Sequence, residues 1–572
     1  MKAVLFILLL CCSTATLYAQ RTETWSNQVF KIDTLASAMS FPWEITYGPD
    51  DSIWVTESRN YRVVKIHPGN KGRRTILNLS SSKNFNRPDA TGGQWPQGGL
   101  MGLAVHPQLL EGKPYVYLAY VYQWIGCGSN NSGCIFRTRL VRYTYNTVNG
   151  SLGNATTLLD ALPGSNDHNS GRLTIGPDLK LYYTIGDMGA GQFNNLNRPN
   201  NAQVKHIYEG KILRLNTEPD DDALNGADPY NRWIPNDNPF THPVTGFRLA
   251  TYSTGHRNPQ GIVWGKRNGT DILYSDEHGD KSDDEVNIIE AGANYGWPFV
   301  AGKCDNNYSN HDAYANNNSL AGRNIGYEDT FCVSNNVREP MFGLFTVPAA
   351  QIPSGSSGIF TWPTVAPSGL DYYNAHAIPG WNNSLLITSL KYGMFRLKLK
   401  NSGMAVDSSS TPEQVDTIPY FHGYRVRDIT MNPGGDTLYL AIDSSGNTSG
   451  PTGGFGTNVS APTAERGNIL RVVYMSTLAL SDHRPIHPDR DKSALRIYPN
   501  PARGSIHVEL ERGTVKPVRV QLFDMAGRVM MDQTTNKDNF TINTSALKPG
   551  VYALRIYNGY RGLIRTEKVI IR

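Results

Sequence analysis

The chain has 572 residues and combines 55 Gly, 34 Pro and 30 Tyr with only 18% charged residues. This length exceeds one ordinary core, so at least two domains are expected, and the composition favours short strands and turns over helical bundles. The net charge of +5 resides at the C-terminal end, where residues 496–572 hold 13 Lys and Arg against 6 Asp and Glu; the remainder, with 41 against 43, offers no basic surface for nucleic acid.

The N-terminus has the layout of a secretory signal peptide, residues 1–19. In MKAVLFILLLCCSTATLYAQ, Lys2 precedes an apolar run, and the small residue Ala19 stands at the expected cleavage point. Its removal leaves cysteines 127, 134, 304 and 332, and an even number in an exported protein favours disulfides. We expect the pairs Cys127–Cys134 and Cys304–Cys332, although four cysteines allow three pairings.

From Phe41 onward the chain repeats one pattern, in which an apolar strand is followed by a turn rich in Gly, Pro or Asp and then by a second strand. The copies are FPWEITYGPDDSIWVTESRNYRVVKI, MGLAVHPQLLEGKPYVYLAYVY, GRLTIGPDLKLYYTIGD, NPQGIVWGKRNGTDILYSDEHG, WNNSLLITSLKYGMFRLKLK and VRDITMNPGGDTLYLAIDSSG. Small antiparallel sheets cannot bury themselves singly, and closing them into a ring covers their faces. We therefore predict an all-β fold with a six-bladed β-propeller over residues 20–475; one or two β-sandwiches are the alternative.

The C-terminal segment has a different character. Residues 476–494 are polar and charged without a strand period, which predicts a linker. Residues 495–572 show alternating strands and turn signals, which predict a small Ig-like β-sandwich. Within it YPNPARG, LFDMAGRVM and LKPGVYALRI closely resemble the C-terminal sorting domain of the type IX secretion system. That resemblance implies export through the periplasm by this machinery to the cell surface or the medium; an adhesive or carbohydrate-binding sandwich is the alternative.

Residues 167–187, DHNSGRLTIGPDLKLYYTIGD, combine a hairpin with polar ends. If the turn occupies Pro177 to Lys180, the numbers of facing residues sum to 357, and Asp187 comes opposite Ser170, close to His168. Asp167 is nearer in sequence but points to the opposite face of an extended chain. A histidine held by a carboxylate is a competent general base, although an isolated pair of this kind is more often structural.

Cationic and acidic groups stand in other repeats. In HGYRVRDITM, Arg425 and Arg427 are two apart in a predicted strand, so both guanidinium groups project from one face and could bind carboxylates; a solvated strand face is the alternative. GHRNPQG supplies Arg257 and Asn258, and SLKYG supplies Lys391. The acidic loop SDEHGDKSDDE at 275–285 suits oxygen ligation of calcium, although acidic turns are often only solvated.

A family resemblance joins these separate signals. The segments HNSGRLTIGPDLKLYYTIGD, EGKILRLN, IPNDNP, TGHRNPQG, SDDEVNIIEAGANYGWPFVAG, WPTVAPSG, GWNNSLLITSLKYG and YRVRDITMNPGGDTLYLAIDSSGN strongly resemble the soluble pyrroloquinoline quinone (PQQ)-dependent glucose dehydrogenases of the glucose/sorbosone dehydrogenase family. The likeness runs with gaps from about Phe41 to Tyr474. These are long, ordered matches in several repeats and are more specific than any single motif.

The resemblance implies a role for each matched position. His168 matches a general base that takes the proton from the anomeric hydroxyl of a sugar, Asp187 the carboxylate that orients it, and Arg257 the cation beside the cofactor. Gln97 and Asp167 match sugar-binding residues, and Trp362 a stacking wall. The residues that match PQQ ligands are Arg257, Asn258, Thr364, Lys391, Arg425 and Arg427.

The same resemblance implies calcium. One ion would bind the backbone carbonyls of Gly279 and Asp280 together with the cofactor, and a second, structural ion would bind at Glu285, Tyr295, Ala301 and Asp305. The 275–285 loop departs from the family pattern, because His278 stands where Gln is usual and Asp280 where Pro is usual. Ile359 replaces a Tyr of the glucose enzymes, and residues 190–235 and 306–358, which would shape the sugar pocket and the face of a homodimer, match poorly.

Three functions follow from these observations. The first is a secreted quinoprotein dehydrogenase that oxidises an aldose at its anomeric carbon to the lactone and passes electrons to an external acceptor. The second is a calcium-dependent propeller lactonase, in which Arg425, Arg427 and Lys391 have no role. The third is a propeller that binds glycans or proteins without catalysis. The joint occurrence of a base, its carboxylate and the cofactor cations favours the first.

Overall fold

The computed structural model describes most of the chain. The described residues are 21–25, 28–83, 96–124, 136–191, 195, 198–221, 230–307, 327–344, 346, 364–407, 416–418, 421, 424–445, 447–449, 458–460, 465–475, 496–510, 517–524, 529–557 and 563–572. Five predictions fall outside them: the signal peptide 1–19, the Cys127–Cys134 pair, Ile359, Trp362 and the linker 476–494.

The described part of the chain up to Met475 is almost entirely β-strand. It begins with β1 (Arg21–Trp25) and β2 (Gln28–Ala36), and five antiparallel sheets of four consecutive strands follow. The first sheet contains β3 (Pro42–Tyr47), β4 (Ile53–Glu57), β5 (Arg62–Ile66) and β6 (Arg73–Asn78), and the second contains β7 (Leu100–Val105), β8 (Tyr115–Gln123), β9 (Phe136–Asn146) and β10 (Ser151–Pro163). The third contains β11 (Leu173–Ile175), β12 (Lys180–Ile185), β13 (Lys211–Asn216) and β14 (Thr251–Thr254), and the fourth contains β15 (Pro259–Arg267), β16 (Thr270–Glu277), β17 (Asp284–Ile288) and β18 (Phe342–Leu344). The fifth contains β19 (Pro367–Tyr373), β20 (Ser384–Ser389), β21 (Gly393–Lys398) and β22 (Asp416–Ile418).

The sixth sheet is assembled from both ends of this region. Its order is β1-β2-β27-β24-β23, with β23 (Val426–Met431), β24 (Thr437–Ile442) and β27 (Ile469–Met475), while β25 (Asn447–Ser449) and β26 (Asn458–Ser460) form a separate hairpin. The helical elements with described bounds are a 3₁₀ turn at Asn231–Trp233 and the helix α1 (Glu328–Asn335). No described helix has the length and apolar character that crossing a membrane requires.

The six sheets form a closed ring. One strand of each sheet, its inner strand, contacts the inner strand of the next sheet, in the order β3, β7, β11, β15, β19, β23, and β23 contacts β3. Apolar layers fill the spaces between neighbouring sheets, such as the layer in which Tyr117 and Leu140 of one sheet pack with Leu181 and Leu213 of the next. Because neighbours cover both faces, strands such as β20 and β24 are buried at every position.

The inner strands carry repeated irregularities. In the pairs β3/β4, β7/β8, β15/β16, β19/β20 and β23/β24 the register shifts near the start of the inner strand, for example between Pro259 and Gly261 and between Val426 and Asp428. A bulge of this kind bends the strand and re-aims one side chain. Gln260 and Arg427, which stand at two of these shifts, both line the cavity described below.

The hairpin β11/β12 corrects the predicted register. Facing residues sum to 356, as in Leu173 with Tyr183, not to 357. The loop has three residues, Pro177 to Leu179, because Leu179 adopts a left-handed conformation (φ 57°) and Gly176 pairs directly with Lys180. The four-residue turn predicted from the sequence was therefore wrong by one position.

The chain forms two compact units, and the division near the end of β27 falls between Val473 and Tyr474. The second unit contains seven described strands in two sheets, of order β28-β29-β32 and β31-β30-β33-β34. These strands are β28 (Arg496–Tyr498), β29 (Ser505–Glu509), β30 (Val518–Phe523), β31 (Val529–Thr535), β32 (Asn539–Asn543), β33 (Gly550–Tyr557) and β34 (Leu563–Ile571). Residues of both sheets, among them Ile506, Val520 and Leu554, share one apolar core.

The predicted disulfide Cys304–Cys332 is present. It closes a loop with a sequence separation of 28 residues and joins the segment after Ala301 to α1.

Candidate active site

The predicted contact between His168 and Asp187 is present. His168 Nδ1 lies 2.7 Å from Asp187 Oδ1, and the two side chains are only 7% and 1% exposed. A carboxylate accepts hydrogen bonds, so Nδ1 carries the ring proton in the neutral histidine and Nε2 keeps its lone pair. Nε2 lies 3.8 Å from Asp167 Oδ1, on the side of the polar residues described next.

Three further donors hold Asp187. The backbone N–H of Gly189 donates to Oδ1 at 2.9 Å, while Asn200 Nδ2 and Trp297 Nε1 donate to Oδ2 at 3.2 and 2.8 Å. These bonds compensate the buried carboxylate and leave it no freedom to rotate. Asn200 and Trp297 were missed by the sequence reasoning, because no local pattern links them to position 187.

The backbone around His168 is strained. His168 and Ser170 have φ values of 50° and 52°, in the left-handed region that residues with a Cβ rarely adopt. The facing strand approaches so closely that a Cβ at Gly186 would lie 2.1 Å from the His168 carbonyl oxygen. Such strain persists only where surrounding contacts enforce it, and it is commonly found at functional sites.

Gln97 and Asp167 form a polar wall next to His168. Gln97 Nε2 donates to Asp167 Oδ1 at 3.1 Å, and Gln97 Oε1 accepts the Asn169 N–H at 3.2 Å. Asn169 Nδ2 donates in turn to the Gln97 carbonyl at 2.8 Å. The two residues predicted to bind the sugar are thus adjacent to the predicted base, and both remain partly exposed.

A cavity of about 220 Å³ lies at the inner ends of several sheets. Its lining includes Gln97, Ser170, Gln260, His278, Arg425 and Arg427, together with Trp43, Met101 and Leu390. The predicted anion-binding arginines and Gln97 of the polar wall therefore face one space, although they come from different repeats.

Arg425 and Arg427 are held differently. Arg427 donates to Asp443 Oδ2 through Nε and Nη2, at 3.1 and 2.7 Å. Arg425 donates from Nη1 to the Leu390 carbonyl at 3.1 Å; within the described residues its buried Nε makes no hydrogen bond, although it lies 3.8 Å from Asp443 Oδ1. Burial lowers the pKa of Arg425, an effect that the charge of Asp443 opposes and the neighbouring charge of Arg427 strengthens. Asp443, which the sequence reasoning missed, follows the strand that pairs with the arginine strand.

Lys391 is a buried cation beside this cavity. Its Nζ donates to the Thr364 hydroxyl at 2.7 Å, so the two predicted cofactor ligands contact each other. Burial lowers the pKa of Lys391 to about 8, with a further lowering by Arg425 that Asp284 opposes.

Arg257 and Asn258 reach the same region from the start of β15. Asn258 Oδ1 accepts the Ser170 hydroxyl at 3.0 Å, and its Nδ2 lies 3.2 Å from His278 Nδ1. The guanidinium carbon of Arg257 lies 5.3 Å from the ring centre of Trp297, and the Arg257 N–H donates to Glu277. Burial lowers the pKa of His278 well below its usual value, and the charges of His168, Arg257 and Arg427 act in the same direction.

Beneath the cavity lies a buried ionic group around Arg172, which the sequence reasoning also missed. Arg172 Nη1 donates to Glu44 and Asp428 at 2.8 and 2.7 Å, and Nε donates to the Gln260 carbonyl at 2.9 Å. Its guanidinium carbon stacks 4.2 Å from the Trp43 ring. Since Trp43 and Gln260 line the cavity, Arg172 ties the cavity floor to three inner strands.

The loop between β16 and β17 is tightly folded. Gly279 N–H donates to Asp284 Oδ1 at 2.9 Å, and a Cβ at position 279 would lie 2.0 Å from the Ser282 carbonyl oxygen. Asp280 is buried with its Oδ1 3.5 Å from Arg257 Nη2, and burial raises the pKa of its carboxyl to about 6. The first predicted calcium position is thus next to the Arg257 side of the site.

The second predicted calcium site involves Glu285, Tyr295, Ala301 and Asp305. Glu285 Oε1 accepts the Gly302 N–H at 2.8 Å, which places it beside Ala301, and burial raises its pKa well above the usual value. The Tyr295 hydroxyl donates to the Ile288 carbonyl at 2.6 Å and accepts the Glu290 N–H at 3.0 Å, so the hydroxyl is already engaged and the Tyr295 carbonyl is the better candidate for a metal. Across the described ranges, no three His, Cys, Asp or Glu side chains gather as a metal cluster. Calcium at either place depends largely on backbone carbonyls and stays a prediction.

Comparison with known proteins identifies both parts of the chain. A family model described as glucose/sorbosone dehydrogenase matches residues 39–337 and 347–449. A second model, described as a secretion system C-terminal sorting domain, matches residues 496–572.

The sequence relatives include a quinoprotein glucose dehydrogenase B from Acinetobacter calcoaceticus, which is 34% identical over 480 residues, covering 78% of this chain and 92% of that protein. A solved glucose dehydrogenase superposes with a TM-score of 0.52 at 21% identity, covering 78% of this chain and 99% of that one. The soluble aldose sugar dehydrogenase from Escherichia coli, solved in its apo form, superposes with a TM-score of 0.51 at 22% identity, over 78% and 100% of the two chains. At these identities the structural likeness shows a shared fold alone.

Proposed function

Because the chain belongs to the glucose/sorbosone dehydrogenase family, we propose that it is an exported quinoprotein dehydrogenase that oxidises an aldose at its anomeric carbon to the lactone. The observation that carries the proposal is the convergence of two sets of groups on one region: the His168–Asp187 pair with its polar wall, and the cations Arg425, Arg427 and Lys391. A lactonase or a passive binding protein has no need of both sets.

The cation set fits PQQ. This quinone carries three carboxylates, and arginine and lysine are the side chains that bind such groups. Burial and the neighbour Arg427 lower the pKa of Arg425 against the effect of Asp443, and its buried Nε, 3.8 Å from Asp443 Oδ1, makes no hydrogen bond in the described chain. A bound carboxylate would supply an acceptor and relieve the repulsion. Thr364, Lys391, Asn258 and Arg257 would hold the rest of the group, and Trp362 is the proposed stacking wall.

When bound, PQQ supplies the two-electron oxidant, and calcium at Gly279 and Asp280 supplies a Lewis acid. The chain itself supplies the base. His168 Nε2 takes the proton of the anomeric hydroxyl, while the hydrogen on the anomeric carbon leaves with two electrons, so that the sugar becomes a lactone. Asp187 keeps the proton of His168 on Nδ1 and stabilises the imidazolium that forms. Gln97 and Asp167 orient the sugar hydroxyls, and Arg257 would stabilise the charge that develops on the cofactor.

The proposal extends to the architecture and the route. We assign the ring of six sheets as the six blades of a β-propeller and the seven-stranded unit as an Ig-like sandwich. The sorting domain directs export, and we propose that the chain reaches the cell surface or the medium through the periplasm. There the electrons would pass to an external acceptor. A homodimer is part of the same family-based proposal.

The test is a titration of purified, PQQ-free protein with PQQ and calcium, followed by dye reduction with a panel of aldoses. We expect stoichiometric PQQ binding and sugar-dependent bleaching of the quinone. His168→Ala should bind PQQ normally but lose roughly 10²- to 10⁴-fold in rate, the usual contribution of a general base. His376→Ala, at an exposed histidine, is the matched control. Failure of the wild-type protein to bind PQQ in the presence of calcium would disprove the proposal.

A further inference from the structure

We infer that the carboxylate of Asp280 is itself a metal ligand, which adds a charged side chain to the cation site at the 279–284 loop. The inference deepens the proposed function and rests on it, because the cation is the one that would bind beside the quinone. It concerns this chain in particular: the family pattern has proline at this position, which offers a backbone carbonyl but no carboxylate.

The first observation is that Asp280 is buried without donors. The residue is 4% exposed, and within the described residues neither of its carboxyl oxygens has a hydrogen-bond partner. Its loop neighbours differ. Asp284 accepts the N–H groups of Gly279, Val365 and Ala366, and Asp283 accepts the Ser282 hydroxyl. A buried carboxylate without hydrogen-bond donors is costly, so the oxygens of Asp280 are available to another ligand.

The second observation is that burial raises the pKa of Asp280 against the charges of Arg257, Lys281 and His168, which lower it, but Arg257 gives the Asp280 carboxylate no hydrogen bond. Arg257 Nη2 lies 3.5 Å from Asp280 Oδ1 in a single contact that is not a hydrogen bond. A pair built for mutual neutralisation has two parallel N–H···O bonds. Arg139 and Asp160 form such a pair in this chain, with distances of 3.0 and 2.7 Å. The Asp280 carboxylate is therefore close to Arg257 but is not docked on it.

The third observation concerns the kind of cation. The tight loop packs the carbonyl oxygens of Ser282 and Asp283 against Gly279, beside the Asp280 residue, and carbonyl and carboxylate groups are oxygen ligands. The one nearby imidazole in this loop, His278, already contacts Asn258 through Nδ1 and the Pro367 carbonyl through Nε2. Oxygen ligands with one negative charge suit calcium over zinc. An added anionic ligand should also tighten binding, since calcium affinity follows the charge of the ligand set.

The experiment is calorimetric titration of EDTA-treated, quinone-free, full-length protein with calcium chloride, comparing wild type with Asp280→Asn. We expect one site to weaken at least tenfold in the variant while binding elsewhere is unchanged. Asp371→Asn is the matched control, since Asp371 is a carboxyl in β19 whose pKa burial raises to about 7. If Asp280→Asn fails to fold, Asp280→Ser takes its place.

Thermal unfolding provides a second readout that needs no activity. Without calcium, Asp280→Asn should unfold at the same or a higher temperature than wild type, because a buried charge without hydrogen-bond donors has been removed. When calcium is added, the unfolding temperature of wild type should rise more than that of Asp280→Asn, since a ligand that binds the folded state more tightly stabilises it more.

Equal calcium affinity and equal calcium-induced stabilisation in the two proteins would overturn the inference and leave Asp280 as a counterion of Arg257. The absence of calcium binding by wild type would overturn it as well. Failure of this inference can be distinguished from failure of the proposed function. If wild type oxidises sugar and Asp280→Asn has unchanged calcium affinity, only this inference is wrong. If Asp280→Asn binds calcium tenfold more weakly but wild type oxidises no sugar, only the proposed function is wrong.

Discussion

Replacing Trp297 with Phe should lower the rate of sugar oxidation without weakening sugar binding. The indole Nε1 donates to Asp187 Oδ2 at 2.8 Å, and Phe keeps an aromatic ring beside Arg257 while it removes that donor. Trp297 is not among the residues that line the cavity, so KM should stay within about twofold.

The magnitude follows from what remains around Asp187. A hydrogen bond to a charged group contributes about 1.5–3 kcal/mol, and three donors are left, so the lower half of that range applies. At about 1.4 kcal/mol for each factor of ten, kcat should fall about 10- to 50-fold. Asn200→Ala removes the longer bond of 3.2 Å and should cost less, about 5-fold in kcat.

The assay is steady-state dye reduction by PQQ-loaded protein, with quinone affinity measured in parallel. Trp264→Phe is a matched control, because the buried Nε1 of Trp264 has no hydrogen-bond partner in the described chain. It should leave kcat unchanged. An unaltered kcat in Trp297→Phe, or an equal fall in Trp264→Phe, would refute the role assigned to the Asp187 donors.

Three other predictions concern the cofactor site and stability. Burial lowers the pKa of Lys391 to about 8, so PQQ affinity measured by absorbance should fall as pH rises through 8, and Lys391→Gln should bind at least tenfold more weakly with no such pH dependence. Replacing Cys304 and Cys332 with Ser should cost about 3.5 kcal/mol in guanidinium unfolding, from the entropy of the loop they close; an unchanged midpoint would contradict this. Arg172→Met should cost about 3–5 kcal/mol because it leaves Glu44 and Asp428 unpaired. Burial raises the pKa of both carboxyls, so they can bind protons in the folded state, and the loss in urea unfolding should be larger at pH 8 than at pH 5.

The parts of the fold that local sequence predicts are those with a strong two-residue period and clear turns. All six hairpin copies are paired strands, and the pairing Cys304–Cys332 is confirmed. The register of β11/β12 was wrong because a left-handed Leu179 shortens the turn, and leucine gives no signal of that conformation. Hairpin geometry alone predicted that Asp187 lies near His168. The contact is present although the predicted register was wrong by one position, because the HNSG segment is bent.

The parts of the site that escaped prediction come from long-range contacts. Asn200 and Trp297 reach Asp187 from segments 13 and 110 residues away, and no periodicity relates them. Arg172 looked like an ordinary polar residue at the start of a strand, yet it meets carboxylates 128 and 256 residues away. Asp443 could have been found, because the hairpin β23/β24 brings its backbone N–H to the Arg425 carbonyl.

The placement of β2 against β27 has a consequence for how the protein is made. In the sixth sheet, β1 and β2 come from the beginning of the described chain, whereas β23, β24 and β27 come from the end of the same unit. A ribosome or a translocon delivers these two ends at different times, so a chain arrested before about residue 475 exposes the edge of β2 and cannot close the ring. Arg471 of β27 then lacks its two bonds to Asp33, which join the ends at 2.8 Å. Loss of residues 476–572 alone should therefore leave every strand of the ring in place, although it removes the sorting domain, whereas loss that reaches β27 should open the ring.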